Sequence, residues 1–270
     1  MMLPENQIVL WIYSFIIWSA MYICIAFFIK IYTKSCTYLS DADKAHMAEG
    51  CISSVQGFVC GGAGIAAVIA ARHDVMNAKH WFVLPYSTIG SAYFIYDLAA
   101  MYYSHCLQKD SKGLPWVKHT KLYFQRSLLM IMHHIILIFL LFPALVYYSN
   151  MGDFFTGCFY LTELSTPFVN MRVVLSKFGM KSSKMYIING VLMTVMFALC
   201  RVIMFPFMYL TYLSQYSKGI SYLQALSRVP WHCHIGSSLV LAPQIYWLFL
   251  MLRGVFAVFF LQPKYVAKYD

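Results

Sequence analysis

The feature that most constrains this chain is a series of seven long apolar runs separated by short clusters of charged residues. The hydrocarbon core of a bilayer, about 30 Å thick, needs roughly 20 apolar residues in an α-helix rising about 1.5 Å per residue. The chain is 61% hydrophobic and only 11% charged, which argues against a water-soluble domain. We predict an all-α, polytopic membrane helix bundle of about seven transmembrane helices around a lipid-accessible cavity. The predicted segments are residues 8–31, 52–71, 85–106, 128–148, 154–175, 186–213 and 236–260.

The connections between the segments suggest a single membrane domain. They contain no Ser-Gly linker, low-complexity stretch or clear repeat. Residues 1–34 are expected to be an N-terminal anchor helix, because Lys30 and Lys34 follow the first apolar run and no basic residue precedes it. Residues 35–262 form the predicted transmembrane domain and 263–270 a short cytosolic tail. The longest connections could include short interfacial helices, and Ser40 to Asp43 offer an N-cap for one.

The distribution of Lys and Arg predicts the orientation. Of the 20 basic residues, 15 fall in the odd-numbered connections and the C-terminal end, whereas four fall on the other side and Arg201 lies inside the membrane. The positive-inside rule therefore places the N-terminus in the lumen or outside and the C-terminus in the cytosol. The net charge of +10 is explained by this pattern, and no nucleic-acid partner is expected.

The eight cysteines suggest neither a disulfide framework nor a zinc cluster, because most lie in apolar stretches and no C-x-x-C pair occurs. We expect no metal and no resident cofactor. His232 and His234 flank Cys233, but this short cluster does not by itself indicate a metal site.

Ionisable residues inside the predicted helices are the candidate functional residues, because each costs about 2.5 to 3.5 kcal/mol at the centre of a membrane helix. They are Asp97, the adjacent pair His133 and His134, Glu163 and Arg201. Arg201 opposite Asp97 or Glu163 is interpreted first as a structural ion pair. Helical spacing places Tyr93 on a polar face of segment three, and Tyr160 and Asn170 on the polar side of segment five. These three residues, together with Arg201 in segment six, are the candidate substrate-binding residues.

The histidine pair suggests proton-transfer or acyl-transfer chemistry. Imidazole has an ordinary pKa near 6.5, so it can accept a proton or act as a nucleophile at neutral pH. A carboxylate from Asp97 or Glu163 could orient the ring, as the third member of a catalytic triad does. The predicted catalytic residues are therefore His133, His134, Asp97 and Glu163. Basic residues at the cytosolic ends of the helices could attract acyl-CoA, or they could act as topology signals alone.

Several motifs resemble the TLC-domain superfamily shared by ceramide synthases and translocon-associated membrane proteins, most closely the TLC domain-containing protein 3 subgroup. The resemblance covers nearly the whole chain beyond the first segment. Ceramide synthases also carry acidic residues downstream of the histidine pair, where this chain reads Thr-Gly-Cys-Phe-Tyr, so that Glu163 or Asp97 would have to replace them. The motifs are Tyr96-Asp97, His133-His134, Gly152 to Phe155, Glu163 to Val169, Met204 to Tyr209 and Leu241 to Trp247.

The resemblance implies a protein of the endoplasmic-reticulum or Golgi membrane that takes part in ceramide synthesis. One hypothesis is a sphingoid-base N-acyltransferase that uses acyl-CoA as co-substrate. The other is a non-catalytic lipid-binding regulator of membrane composition or of other ceramide synthases. The expected partners are membrane lipids, a sphingoid base and acyl-CoA, with a homo-oligomer or hetero-oligomer of membrane proteins also open.

Overall fold

The computed structural model describes residues 5–111, 113–148 and 151–260, and all regular structure in these ranges is helical. Short 3₁₀ or π-helical turns link some of the α-helices. The predicted tail, residues 263–270, lies outside the described residues. The α-helices are α1 Glu5–Tyr32, α2 Asp41–Ala71, α3 Val83–Cys106, α4 Trp116–Ile136, α5 Phe142–Tyr147, α6 Asp153–Leu161, α7 Thr166–Lys177, α8 Lys184–Phe197, α9 Met204–Tyr216, α10 Tyr222–Ser227 and α11 Trp231–Phe260.

Within the described residues, five helical stretches are long and apolar enough to cross a membrane: Glu5–Tyr32, Asp41–Ala71, Trp116–Tyr147, Lys184–Tyr216 and Trp231–Phe259. They cover the predicted segments one, two, four, six and seven to within one residue, which confirms a polytopic helical membrane protein. Their large exposed side chains are mostly apolar, as lipid contact requires.

The predicted third and fifth segments are helical but too polar to meet the same criterion. α3 is a continuous helix of 24 residues, so at about 1.5 Å per residue it is long enough to span the hydrocarbon core. Its buried face carries Ser, Thr, Tyr, His and Asp side chains. The fifth segment consists of α6 and α7 joined by the 3₁₀ turn Thr162–Ser165. The expected total of seven spans therefore stays a prediction.

The structure confirms the helix start predicted near Ser40. The Ser40 hydroxyl accepts a hydrogen bond from the Asp43 N–H at 3.1 Å, and the Asp43 carboxylate accepts one from the Ser40 N–H at 3.1 Å. This reciprocal pairing satisfies donors that the first turn would otherwise leave free. α2 therefore begins eleven residues before the predicted segment and continues into it without a break.

The other long connection also contains helix. α4 begins at Trp116, and the backbone leaves helical geometry at Ser127, with φ −122° and ψ 16°. The kink separates an eleven-residue N-terminal part from the apolar run that was predicted to begin at residue 128.

Two π-helical turns precede proline residues. Leu137–Leu141 lies just before Pro143, and Ala198–Ile203 just before Pro206. Proline has no N–H and its ring collides with the carbonyl four residues earlier, and a wider turn relieves that conflict. The second of these turns contains Arg201.

The chain forms two compact units. The first comprises the described residues within 1–56 and 81–149, and the second those within 57–80 and 150–270. In the first unit α1 packs along α3, and α3 also packs on α4 and α5. Its core is the cluster of Trp18, Ile52, Tyr93, Tyr96 and Ala100.

The second unit is held together by close helix contacts at glycines. A methyl group added at Gly64 would lie 2.8 Å from the Gly157 carbonyl oxygen and 2.9 Å from the Leu161 nitrogen. One added at Gly157 would lie 2.8 Å from the Ala67 side chain. Small residues at such positions let two helices approach closely, as in many membrane proteins.

Candidate functional site

A buried hydrogen bond joins His134 and Asp97 in the first unit. His134 Nε2 is 2.8 Å from Asp97 Oδ2, and the two side chains are 6% and 10% exposed. α4 supplies the histidine and α3 the aspartate, and the edge of the Phe94 ring packs against the imidazole with ring centroids 5.7 Å apart. The structure thus brings together two of the predicted site residues.

The hydrogen bonds of His134 determine which polar atom of the pair can form a hydrogen bond to a substrate. The Nδ1 atom donates to the Met130 carbonyl at 2.9 Å, since a carbonyl oxygen can only accept. The other ring nitrogen faces Asp97, so one proton lies between Nε2 and Oδ2. Both ring nitrogens of His134 are therefore engaged. The second carboxylate oxygen, Asp97 Oδ1, is buried and has no hydrogen-bond partner among the described residues.

Glu49 is the residue near this pair that the sequence reasoning did not include. Its carboxylate lies within electrostatic range of both Asp97 and His134. Among the described residues its one hydrogen-bond partner is the Nδ1 of His46, at 3.3 Å. The Glu49 side chain is 12% exposed, and that of His46 is 44% exposed.

The extension of α2 explains why Glu49 was missed. The predicted segment began at residue 52, which left Glu49 in a connection. The apolar residues Ala45, Met47 and Ala48 are visible in the sequence and were the available signal that the helix begins earlier. The structure buries all three.

Three tyrosine hydroxyls complete the polar cluster around Glu49. Those of Tyr22, Tyr96 and Tyr123 are buried and have no hydrogen-bond partner within the described ranges. Tyr96 shares the core cluster with Ile52, which lies one turn after Glu49 in α2, and Tyr22 packs against that cluster. Buried polar atoms are nearly always satisfied in folded proteins, so such a concentration requires an explanation.

Arg201 and Glu163 form a separate network in the second unit. Arg201 Nη2 lies 3.3 Å from both carboxylate oxygens of Glu163. The guanidinium also donates to the hydroxyls of Ser165 and Thr166, each at 2.8 Å, and to the Thr162 carbonyl at 3.0 Å. The 3₁₀ turn and the π-helical turn present these groups to each other. The structure therefore selects Glu163 rather than Asp97 as the partner of Arg201, and the arrangement is that of a structural ion pair.

The remaining predicted residues have different surroundings. Tyr93 packs edge-on against Trp18 in the core of the first unit, with ring centroids 5.3 Å apart. His133 is buried, and its ring centroid lies 5.8 Å from that of His134. Tyr160 is buried in α6 and Asn170 lies half-buried in α7, both in the second unit.

Two acidic groups at the ends of helices have shifted pKa values. Hydrogen bonds from Tyr216 and Asn77 hold the pKa of Asp74 well below its usual range. Burial raises the pKa of Asp153, although its carboxylate accepts a hydrogen bond from the His80 N–H at 2.6 Å. Both contacts hold the 71–80 connection within the second unit.

The chain matches the family model of the TLC domain, shared by the TRAM, LAG1 and CLN8 proteins, over residues 46–253. The match covers more than three quarters of the chain, including the His134–Asp97 pair, Glu49 and the Arg201 network. This protein belongs to the TLC-domain family. No solved structure is significantly similar to it.

Proposed function

We propose that this TLC-domain protein is a sphingoid-base N-acyltransferase that forms ceramide from acyl-CoA, with the buried His134–Asp97 pair as its proton-transfer group. The single observation that carries the proposal is the 2.8 Å contact between His134 Nε2 and Asp97 Oδ2. Within a membrane helix, a buried charged or shared-proton pair is more often functional than accidental. Membership of the TLC-domain family supports a function that involves membrane lipids.

The pair would act on the amine of the acyl acceptor. The amine nitrogen attacks the thioester carbonyl carbon, a C–N bond forms and the C–S bond breaks. The amine loses a proton to the free oxygen Oδ1 of Asp97, while the imidazolium of His134 balances the carboxylate charge. That proton then passes to the leaving thiolate, so that the products are an amide and coenzyme A. His133, buried beside His134, is the second histidine of the proposed site.

The proposal is tested with purified protein, labelled palmitoyl-CoA and sphinganine. Wild type should form ceramide, and His134→Ala should abolish it because Asp97 loses the hydrogen bond and the imidazolium that balances its charge. His133→Ala tests the second histidine, and we expect it to abolish activity as well. His232→Ala is the matched control, because His232 lies in α11 of the second unit and should leave the rate unchanged. Full activity in both His133 and His134 variants would overturn the acyltransferase proposal.

The regulatory alternative rests on a different observation. Two of the predicted site residues, Arg201 and Glu163, are bonded to each other in a structural ion pair within the second unit. If ceramide rises only in cells that already contain other ceramide synthases, the protein is a lipid-binding regulator. We further propose that the protein belongs to the TLC domain-containing protein 3 subgroup and lies in the endoplasmic-reticulum membrane, with the Golgi as a second location, and that its N-terminus is luminal.

A further inference from the structure

We propose that Glu49 is the cation-binding residue of the first unit, and that it holds the ammonium group of an amino lipid beside the His134–Asp97 pair. This inference rests on the proposed function for the identity of the lipid. It does not require that acyl transfer take place.

Charge supports the proposal first. Glu49 and Asp97 are two largely buried carboxylates within electrostatic range of each other. No Lys or Arg in the described part of the chain forms an ion pair with either of them; their ion-pair partners are His46 and His134. Burying carboxylates together costs free energy unless a cation neutralises them. A ligand that carries a positive charge would relieve this cost.

Hydrogen-bonding capacity supports it independently. Four buried oxygens around Glu49 have no partner among the described residues: Asp97 Oδ1 and the hydroxyls of Tyr22, Tyr96 and Tyr123. As whole residues, Asp97, Tyr96 and Tyr123 are 7%, 3% and 6% exposed. These oxygens come from α1, α3 and α4, and Glu49 comes from α2, so all four long helical elements of the unit contribute. The carboxylate oxygen needs a donor and each tyrosine hydroxyl can both accept and donate, so an ammonium or hydroxyl-bearing headgroup can bond to all four.

The neighbouring aromatic rings suit the apolar part of such a ligand. The Tyr22 and Tyr96 rings lie 6.0 Å apart, and Phe94 packs against His134. His46, at the more exposed end of the cluster, contacts the Glu49 carboxylate, and Glu49 would exchange that contact for a stronger one to the ammonium group of the ligand.

The experiment measures binding of tritiated sphinganine to the full chain in lipid nanodiscs, without acyl-CoA, so that no acyl transfer occurs. Empty nanodiscs give the background, and unlabelled sphinganine and its neutral N-acetyl derivative are the competitors. We expect sphinganine to compete and the N-acetyl derivative to compete poorly. Glu49→Gln should weaken sphinganine binding by about tenfold or more, since it removes a charged hydrogen-bond acceptor.

Two variants separate this role from a general loss of structure. Glu49→Asp keeps the charge and should recover part of the affinity. Asp41→Asn removes an exposed carboxylate from the same helix and should bind like wild type. Equal affinity of Glu49→Gln and wild type would overturn the inference and mean that water satisfies the polar cluster. Equal competition by the neutral derivative would overturn it too. The expected binding pattern without any ceramide formation would support the cation site and refute only the acyltransferase.

Discussion

Arg201→Ala should lower the stability of the folded protein by about 3 to 5 kcal/mol, because it leaves Glu163 buried without its cation. The two side chains are only 11% and 13% exposed. The guanidinium also bonds two hydroxyls and a backbone carbonyl, all of which lose their donor. At about 2 to 4 °C per kcal/mol for a chain of roughly this size, the unfolding midpoint should fall by about 6 to 20 °C.

The assay is thermal unfolding of detergent-solubilised protein, followed by size-exclusion chromatography. Adding Glu163→Gln to Arg201→Ala removes the unpaired carboxylate and should recover part of the loss. Adding Asp97→Asn should recover none, since Asp97 is bonded to His134. Arg126→Ala is the matched control: its ion pair with Asp110 is exposed, so about 1 kcal/mol or less is at stake. A wild-type midpoint in Arg201→Ala, or equal recovery by Asp97→Asn, would refute the reasoning.

Three further outcomes are expected. Gly64→Ala should destabilise the second unit by about 1 to 3 kcal/mol in the same assay, because its methyl group would meet the backbone of Gly157, whereas Gly90→Ala has open space and should not. Because the pKa of Asp74 is lowered in the folded protein, its carboxylate stabilises the fold at pH values above its ordinary pKa of 3.8, and this stabilisation is lost as the pH falls below that value. Asp74→Asn should therefore reduce the fall in stability at acid pH, and an unchanged fall would contradict this. A C-terminal tag should be accessible from the cytosol in selectively permeabilised cells and an N-terminal tag should not, and the reverse would overturn the orientation drawn from basic residues.

Composition and periodicity were enough to predict a membrane-spanning helical protein. A chain with so few charges cannot remain in water, and only helices satisfy their own backbone within a lipid bilayer without closing into a barrel. The same reasoning identified the ionisable residues whose burial in a membrane costs free energy, since Asp97, His134 and Arg201 lie among apolar neighbours. It also predicted the capped start near Ser40, because capping depends on residues close together in the chain.

Element boundaries were harder to predict where polarity and helicity conflict. Glu49 lies in a helix whose first turns are polar, so a search for apolar runs began too late. Each π-helical turn precedes a proline residue, which explains why the regular helix is interrupted there. The local sequence does not specify that the interruption is a wider turn rather than a kink.

The pairing of buried polar groups was decided by tertiary structure alone. The sequence left Asp97 and Glu163 as equal candidates for Arg201, and either acid as a partner for the histidine pair. Asp97 and His134 lie on separate helices, as do Glu163 and Arg201, and no periodicity relates one helix to another. Which side chains meet depends on how the helices pack and rotate about their axes. Packing likewise placed Ile52, one turn after Glu49 in α2, in one core cluster with Tyr93 and Tyr96 of α3, because long-range contacts depend on the shapes of entire helix faces.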